Sequence, residues 1–404
     1  MTLNCKLKFV LIGFSICVTI LIVVAALATS SVTREVSYGV RVSVDGVVLD
    51  FDDDMMPFIM DGRTFLPVRG IAEALGLYVG FDAEENTVLL STAYIPQQLK
   101  TNPFDDIPHG TLAKQYISFI NDNLPERIAF SYRELETAEW IVNELISMGY
   151  TQNEIETQVF SRAAAQLSTR ARTPLHSFNT GEHILRNYSQ NILLTIPGQS
   201  ERKIIVAAHY DTLLYPGASD NASGMGVVLE SAHRMRYLDN YYTIVYAFFG
   251  AEEVWWIGAL YYLEQLSEAQ RNNIELMINV DVLLDGDTLI YAAGYGTNRD
   301  NVRSNTLTAR IDGIANDLNA RYNIGLTANP RGIRVNADHA AFFYAGHTVL
   351  FMFGARYANG RFNLDVFHSA RDDIRYITAN RTGRKERNIR AFSIFLEELL
   401  MMTN

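Results

Sequence analysis

Six continuous apolar runs of strand length shape the chain beyond residue 190. They are Ile192–Ile196, Ile204–Ala208, Tyr242–Phe249, Leu276–Val280, Leu289–Ala293 and Val349–Phe353. Apolar positions at helical spacing lie between several of these runs, as in Ser223–Arg236 and Leu307–Arg321. A strand that lacks polar alternation is covered on both faces. The pattern therefore predicts an α/β fold in which a mostly parallel, mixed sheet is flanked by helices.

A further helix is predicted ahead of these runs, where apolar positions repeat at helical spacing from Leu135 to Leu145. Ser131 and Glu134 have the spacing of a capping box at its start, and Gly149 suits the position after its end. With this helix, the large unit is expected to occupy residues 111–404.

Residues 38–92 are patterned differently, in short β-like segments. Alternating valines lead to Asp45-Gly46, a strong two-residue hairpin signal. A short helix is expected after Pro67, followed by strands at Tyr78–Phe81 and Val88–Leu90. These elements predict a small α+β domain. Three prolines and a glycine in residues 95–110 mark the linker that joins it to the large unit.

The first residues have the features of an export signal. Lys6 and Lys8 precede an apolar stretch that ends with the small-residue sequence Ala26-Leu27-Ala28, which resembles a cleavage site. The stretch also has roughly the 20 residues that span a bilayer. Residues 1–28 are therefore interpreted as a signal peptide, with an uncleaved membrane anchor at residues 9–28 as the alternative. Both interpretations place the protein outside the cell or on the cell surface.

Composition narrows the classes of protein to consider. A chain of 404 residues with 48% hydrophobic content can bury a large core. Both cysteines, Cys5 and Cys17, fall in the leader, so the exported part is expected to depend on packing and bound metal rather than on disulfides. Loss of the leader, which holds two lysines and no acid, takes the formal charge from −11 to −13. So acidic a protein is not expected to bind nucleic acid.

Candidate metal ligands follow the apolar runs. His209, the pair Glu252-Glu253 and Asp281 each come after a predicted strand, Asp220 precedes a predicted helix, and His368 lies beyond the last run. Sites in open α/β sheets form beyond the carboxyl ends of the strands, so these side chains are expected to meet at one edge. Oxygen ligands with two imidazoles suit zinc better than calcium. The set predicts two zinc ions per chain, with one carboxylate between them.

Simpler interpretations exist for each residue alone. Asp220 has the position of a helix N-cap, and Glu252 with Glu253 has the character of a solvated helix start. Trp255 and Trp256 either edge a substrate cleft or pack in the core. It is the joint occurrence of the acids and histidines at strand ends that favours a metal site.

Two parts of the chain resemble known families. Residues 115–400 resemble the bacterial leucyl aminopeptidase and glutamate carboxypeptidase family of co-catalytic zinc metallopeptidases. The matching segments, in the family's order, are Asn191–Gly198, Ala208–Asp211, Gly217–Gly224, Phe249–Glu253, Ile278–Asp281 and His368–Asp372. Asp61–Arg69 with Ala72–Gly76 resembles the copper amine oxidase N-terminal-like domain of exported bacterial proteins. Residues 38–92 contain no histidine or cysteine to bind copper, so this domain is interpreted as a spacer or a cell-wall contact.

The first resemblance implies a role for each candidate residue. The ligands of the two ions are His209, Asp220, Glu253, Asp281 and His368. Asp220 bridges the ions, His209 and Asp281 complete one of them, and His368 and Glu253 complete the other. Glu252 is the unligated general base that takes a proton from a water shared by the ions and passes it to the leaving amine. Asp211 accepts a hydrogen bond from the second nitrogen of His209.

These roles imply an exported zinc exopeptidase with a peptide substrate, and an aminopeptidase is favoured. The alternatives are a carboxypeptidase or dipeptidase of the same family, a glutaminyl cyclase with a single zinc, and a non-catalytic surface-binding protein. Arg356–Asp365 is a candidate pocket wall, where an arginine would favour carboxypeptidase action. Asp338-His339 begins a segment similar to one near the family's pocket.

Overall fold

The computed structural model describes part of the small domain and most of the large one. The described residues are 36–44, 47–49, 51, 56–68, 71–72, 75, 78–82, 87–91, 103–104, 106–161, 186–329, 332–333, 336–358 and 361–403. The chain divides into two compact units, Met1–Gln98 and Leu99–Asn404. The predicted leader at residues 1–28 lies outside the described residues. Within the described part, none of the helices has both the length and the apolar character that a bilayer crossing requires.

The described part of the first unit contains short antiparallel strands. They are β1 (Val36–Tyr38), β2 (Ser43–Val44), β3 (Val47–Val48), β4 (Phe58–Met60), β5 (Arg63–Phe65), β6 (Tyr78–Asp82) and β7 (Thr87–Ser91). β2 pairs antiparallel with β3, with Val44 opposite Val47, the register expected for a two-residue hairpin. The predicted turn residues themselves lie outside the described residues. The sequence did not reveal β4 and β5. Their turn is Asp61-Gly62, where both residues have the positive φ that a type I′ hairpin turn needs.

One mixed sheet forms the centre of the second unit. Its strands within the described residues are β8 (Ile155–Ser161), β9 (Tyr188–Ile196), β10 (Ser200–His209), β11 (Tyr242–Phe249), β12 (Ile274–Val280), β13 (Thr288–Tyr295), β14 (Leu326–Ala328), β15 (Thr348–Ala358) and β16 (Arg361–Asn363). Their order is β14-β13-β15-β12-β10-β11-β9-β8, and β16 pairs with β15. The neighbours β15, β12, β10 and β11 are parallel, whereas β9 and β13 join them antiparallel. The α/β prediction of a mixed, helix-flanked sheet is confirmed.

Helices cover both faces of this sheet. In the described residues they are α1 (Thr111–Asn123), α2 (Tyr132–Ser147), α3 (Ser223–Met235), α4 (Ile257–Gln265), α5 (Glu268–Asn272), α6 (Thr306–Tyr322), α7 (His339–Tyr344), α8 (Ile374–Asn380) and α9 (Arg384–Leu400). Alternate residues of β10 enter two separate cores: Val206 packs with residues of α1, α3 and α9, and Ile205 with residues of α4 and α7. Burial on both faces explains why the central strands have no polar alternation.

The capping box predicted at the start of α2 is half formed. The Ser131 hydroxyl accepts a hydrogen bond from the Glu134 backbone N–H at 3.1 Å. The Glu134 carboxylate does not return this bond. It is buried, and it accepts from the N–H of Phe130 at 2.6 Å, the hydroxyl of Ser189 at 2.7 Å and the N–H of Ala251 at 3.1 Å. Glu134 thereby fastens the loop that carries Glu252.

Candidate active site

The candidate ligands meet at the carboxyl edge of the parallel strands. His209 ends β10, Asp281 directly follows β12, and Glu252-Glu253 come after the Gly250-Ala251 turn that follows β11. These three strands are neighbours in the sheet, so their ends adjoin. The other two candidates come from loops, Asp220 from the one before α3 and His368 from the one between β16 and α8. The structure brings all of them together.

Asp220 stands between two groups of ligand atoms. On one side, His209 Nε2 lies 3.1 Å from Asp220 Oδ1 and 3.3 Å from Asp281 Oδ1. On the other, His368 Nε2 lies 3.1 Å from Asp220 Oδ2 and 3.2 Å from Glu253 Oε2. Each group offers three ligand atoms within 4.8 Å of one another. The Asp220 carboxylate therefore presents one oxygen to each group.

The ligand oxygens fit a bound cation. Glu253 Oε1 is buried and accepts no hydrogen bond from any described residue, and the buried Asp220 Oδ2 and Asp281 Oδ1 face only the imidazole nitrogens of His368 and His209. Leaving buried charged oxygens without partners is costly, and metal coordination removes that cost. Two imidazoles with three carboxylates are a donor set that zinc takes readily. The buried oxygens and the mixed donor set together support a zinc site.

The electrostatic environment of the five candidate ligands favours the binding of a cation. Burial by itself would lower the pKa of His209, yet the carboxylates around it, Asp281 foremost, hold that pKa well above its usual range. Burial would raise the pKa of Asp220, but the imidazoles of His209 and His368 on either side hold it well below the usual range. The site thus holds carboxylate charge that a cation would neutralise.

Asp211 meets His209 through its main chain rather than through its carboxylate. His209 Nδ1 lies 3.1 Å from the main-chain oxygen of Asp211, but 3.6 Å from its carboxylate, too far for a hydrogen bond. The imidazole therefore donates to the backbone of Asp211. The carboxylate instead accepts from the backbone N–H groups of Glu252 at 2.9 Å and Glu253 at 3.1 Å. Asp211 consequently ties the two glutamates to the histidine.

Glu252 lies beside the ligand groups and belongs to neither. Its side chain lines the cavity described below, while its backbone is held by Asp211. Burial raises the pKa of Glu252 well above its usual range, and the nearby His209 opposes this rise. A carboxylate with a raised pKa binds a proton more readily, as a general base must.

The simpler interpretations of these acids do not hold. Asp220 does not cap α3, because the N-cap position is Ala222 and Asp220 has non-helical backbone angles. Glu252 and Glu253 do not start a helix, since α4 begins only at Ile257. Non-glycine residues with positive φ also gather at this edge, namely Ala251, Trp255, Trp256, Val282 and His368. Such backbone costs about 1–3 kcal/mol per residue and clusters at functional sites.

Two buried aspartates, Asp372 and Asp285, hold the loops that carry the ligands. The sequence alone assigned no role to either of them. Asp372 accepts hydrogen bonds from the N–H groups of Ser219 and Asp220, the latter at 3.0 Å. Asp285 accepts from the N–H groups of Val366 at 2.7 Å and Phe367 at 2.8 Å, and so holds the segment before His368. The only sequence signal was for Asp372, which ends one of the matching segments.

A cavity of about 300 Å³ opens beside the ligands. Its described lining, apart from the ligands and Glu252, is Trp255, Trp256, Val282, Asn336, Ala337, Phe351, Phe353, Phe362, Leu364 and Phe367. Phe351 and Phe353 stack with ring centroids 4.6 Å apart on one face of β15. Of the predicted wall at Arg356–Asp365, Phe362 and Leu364 line the cavity. Arg356 is exposed and does not line it. His339 is buried behind the wall and stacks on Phe351.

Comparison with known proteins finds a matching family for each part of the chain. Peptidase family M28 matches residues 191–393, and the copper amine oxidase N-terminal domain matches residues 43–102. The alkaline phosphatase isozyme conversion protein of Escherichia coli strain K12 is 30% identical over 261 residues, which are 60% of this chain and 71% of that protein.

Two solved structures share the fold. The zinc aminopeptidase BSAP from Bacillus subtilis has a TM-score of 0.57 at 16% identity, over 74% of this chain and 96% of that one. A glutaminyl cyclase from an Acidobacteriales bacterium has a TM-score of 0.55 at 18% identity, over 76% and 97%. At these identities the likeness concerns the fold alone.

The fold and its edge of acids and histidines are those of a zinc-dependent metallohydrolase. The chain belongs to peptidase family M28, a family of co-catalytic zinc peptidases, and is a metallopeptidase. Its first unit is a copper amine oxidase N-terminal domain.

Proposed function

We propose that the protein is an aminopeptidase that binds two zinc ions and removes large apolar residues from the amino ends of peptides. The observation that carries the two-ion assignment is the placement of Asp220, with one carboxylate oxygen toward each ligand group. His209 and Asp281 would then hold one ion, and His368 and Glu253 would hold the other. Glu252 is the general base.

When bound, zinc would supply Lewis-acid polarisation of the scissile carbonyl and lower the pKa of a bound water. The residues of the chain do the rest. Glu252 accepts a proton from the attacking water and returns it to the departing amine, as general acid–base catalysis requires. Asp211 keeps Glu252 in reach by holding its backbone N–H. Glu134 restrains Ala251, the residue before Glu252, by accepting a hydrogen bond from its N–H.

The cavity supports action at the amino end. A carboxypeptidase needs a cation for the terminal carboxylate of its substrate. Apart from the two ligand histidines, the described lining contains no basic side chain, and Arg356 lies outside it. The aromatic wall of Phe351, Phe353 and Phe362 suits an apolar side chain such as leucine or phenylalanine.

Matched peptides test both parts of this proposal. Four peptides that differ only in an N-terminal Leu, Phe, Lys or Glu, each with an amidated carboxyl end, are incubated with zinc-loaded protein and followed by mass spectrometry. Leu and Phe are expected to be released from the amino end. Lys and Glu should leave at least about tenfold more slowly, because they would bring an unpaired charge into an apolar pocket. N-acetylation should stop release. The same peptides with a free carboxyl end are run in parallel, and shortening from that end would contradict the proposal.

A glutaminyl cyclase is the second candidate, because one such enzyme shares the fold. That reading requires one zinc ion, whereas the described residues offer two complete ligand groups. Formation of pyroglutamate from an N-terminal glutamine peptide, without chain shortening, would favour it. The number of zinc ions bound per chain separates the two candidates independently of any substrate.

We further propose that the protein is exported, and that the small domain acts as a spacer or a cell-wall contact. The support is the leader of residues 1–28, with two lysines before a long apolar stretch. Mass spectrometry of protein from the native host is expected to find a mature amino end close after Ala28. An intact amino end in the membrane fraction would establish the anchor instead. An intact chain in the cytosol would contradict export.

A further inference from the structure

The loop from Tyr210 to Ser219 joins the first proposed ligand, His209, to the bridging residue, Asp220. A single arginine, Arg127, lies beneath it with its side chain fully buried. Arg127 Nε donates to the carbonyl of Tyr210 at 2.7 Å, and Nη2 to the carbonyl of Gly217 at 3.1 Å. Nη1 donates to Pro216 O at 2.9 Å. One guanidinium thus fastens the loop just after His209 and just before Asp220.

The backbone around Arg127 is fixed to the same loop and to α1. The N–H of Thr212 donates to Arg127 O at 3.0 Å, and Ile128 forms a parallel β-bridge with Thr212. Arg127 Nη1 also donates to Leu124 O, at 2.9 Å, just beyond the end of α1. The arginine is therefore anchored at both ends and has little freedom to follow a shift of the loop.

The loop is closely packed against this guanidinium. Gly217 has a φ of +65°, and a Cβ there would lie 2.5 Å from the carbonyl oxygen of Asp220 and 3.0 Å from Arg127 Nη2. Only glycine meets both demands, the left-handed backbone and the close approach. Thr212 Cγ2 would lie closer still, at 2.3 Å, so the backbone just before Asp220 is packed against both the side chain of Thr212 and the guanidinium of Arg127.

The positive charge of Arg127 lies near the carboxylates of the proposed metal site. Its hydrogen bonds go to carbonyl oxygens, and none of the described carboxylates lies within 4.0 Å as an ion-pair partner. Instead it acts at longer range on the carboxylates of Asp372, Asp211, Asp220 and Glu253. A fixed positive charge near these acids reduces their mutual repulsion.

We propose that Arg127 is a positioning residue that sets the spacing of His209 and Asp220 before metal binds. The inference rests on the ligand roles proposed above. Its consequence is that loss of Arg127 weakens metal binding although Arg127 itself binds no metal. Changes to groups that orient metal ligands typically cost about 10–100-fold in metal affinity.

The test is the zinc affinity of metal-free full-length protein, measured by competition with a chromogenic chelator. R127M keeps the apolar stem and removes the guanidinium, and we expect its affinity to fall about 10–100-fold. R127K keeps the charge, but its single nitrogen cannot span the carbonyls of Tyr210 and Gly217, so its affinity should also fall. The visible spectrum of the cobalt-substituted protein, which reports ligand geometry, should change in both variants.

Arg234 provides a matched control. It is also buried and donates to Glu230 Oε1 at 2.9 Å and Ile107 O at 2.7 Å, with no link to the ligand loop. R234M should lower the midpoint of unfolding and leave zinc affinity within about twofold. Wild-type affinity and spectrum in R127K or R127M, or an equal loss in R234M, would overturn the inference. Failure of the wild-type protein to bind zinc would instead overturn the proposed function.

Discussion

Replacing Glu252 with glutamine should lower kcat/KM by about 10²–10⁴-fold while zinc binding stays at the wild-type level. The amide has nearly the same shape as the carboxylate but cannot accept the proton of the attacking water. Its backbone N–H can still donate to Asp211, so the loop should keep its conformation. Because Glu252 belongs to neither ligand group, metal content has no reason to change.

The neighbouring glutamate supplies the control. Glu253→Gln makes the same chemical change one residue along, at a side chain whose Oε2 lies 3.2 Å from His368 Nε2. This variant should lose zinc affinity as well as activity, because it weakens one ligand group. The measurements are zinc per chain by atomic emission and steady-state kinetics on a leucine-terminated peptide. Near-normal turnover of E252Q would remove the base assignment, and equal zinc loss in both variants would make Glu252 a ligand.

Much of the fold could be predicted because its central strands are buried on both faces. A run such as Tyr242–Phe249 shows no polar alternation, with Thr243 as its one interruption, and it coincides with β11 from end to end. β8 was missed because it lies at the edge of the sheet and mixes buried with exposed residues, so it lacks such a run. β14 and β16 have only three residues each, which is too short for a periodic signal.

The ligand candidates could be found because each stands next to an element with a strong pattern. The residues that hold them carry no such signal. Arg127 lies between two helices and acts on carbonyls more than 80 residues away in the chain. Glu134 has the spacing of a capping residue, yet its carboxylate turns inward to Ser189 and Ala251. Such contacts depend on tertiary packing, which local periodicity does not encode.

The proposed bridging role of Asp220 leads to the second large expected effect. Replacing Asp220 with asparagine should remove most bound zinc and lower kcat/KM on the order of 10³-fold. The amide is neutral, so it cannot supply an anionic oxygen to both ligand groups at once. Each group would keep one imidazole and one carboxylate, His209 with Asp281 and His368 with Glu253. Two strong protein ligands are fewer than the three that zinc sites in enzymes normally have.

Single-histidine variants give the comparison that makes this result specific. His368→Ala and His209→Ala each damage one group and leave the other complete, so each should retain one zinc per chain where the wild-type protein has two. A one-zinc enzyme of the cyclase type would show one zinc in the wild-type protein. In such an enzyme only one of the two ligand groups binds zinc. One histidine variant would therefore keep its single zinc ion, and the other would lose it.

Zinc per chain, measured after equilibrium dialysis against one fixed free-zinc concentration, decides between these outcomes. The order expected for two bridged ions is wild type above both histidine variants, and both of these above D220N. D220N with two zinc ions would show that the carboxylate is no bridge. The prediction follows from one geometric fact: the two oxygens of Asp220 lie 3.1 Å from two different imidazoles. A residue shared in this way should cost more zinc when replaced than either histidine does alone.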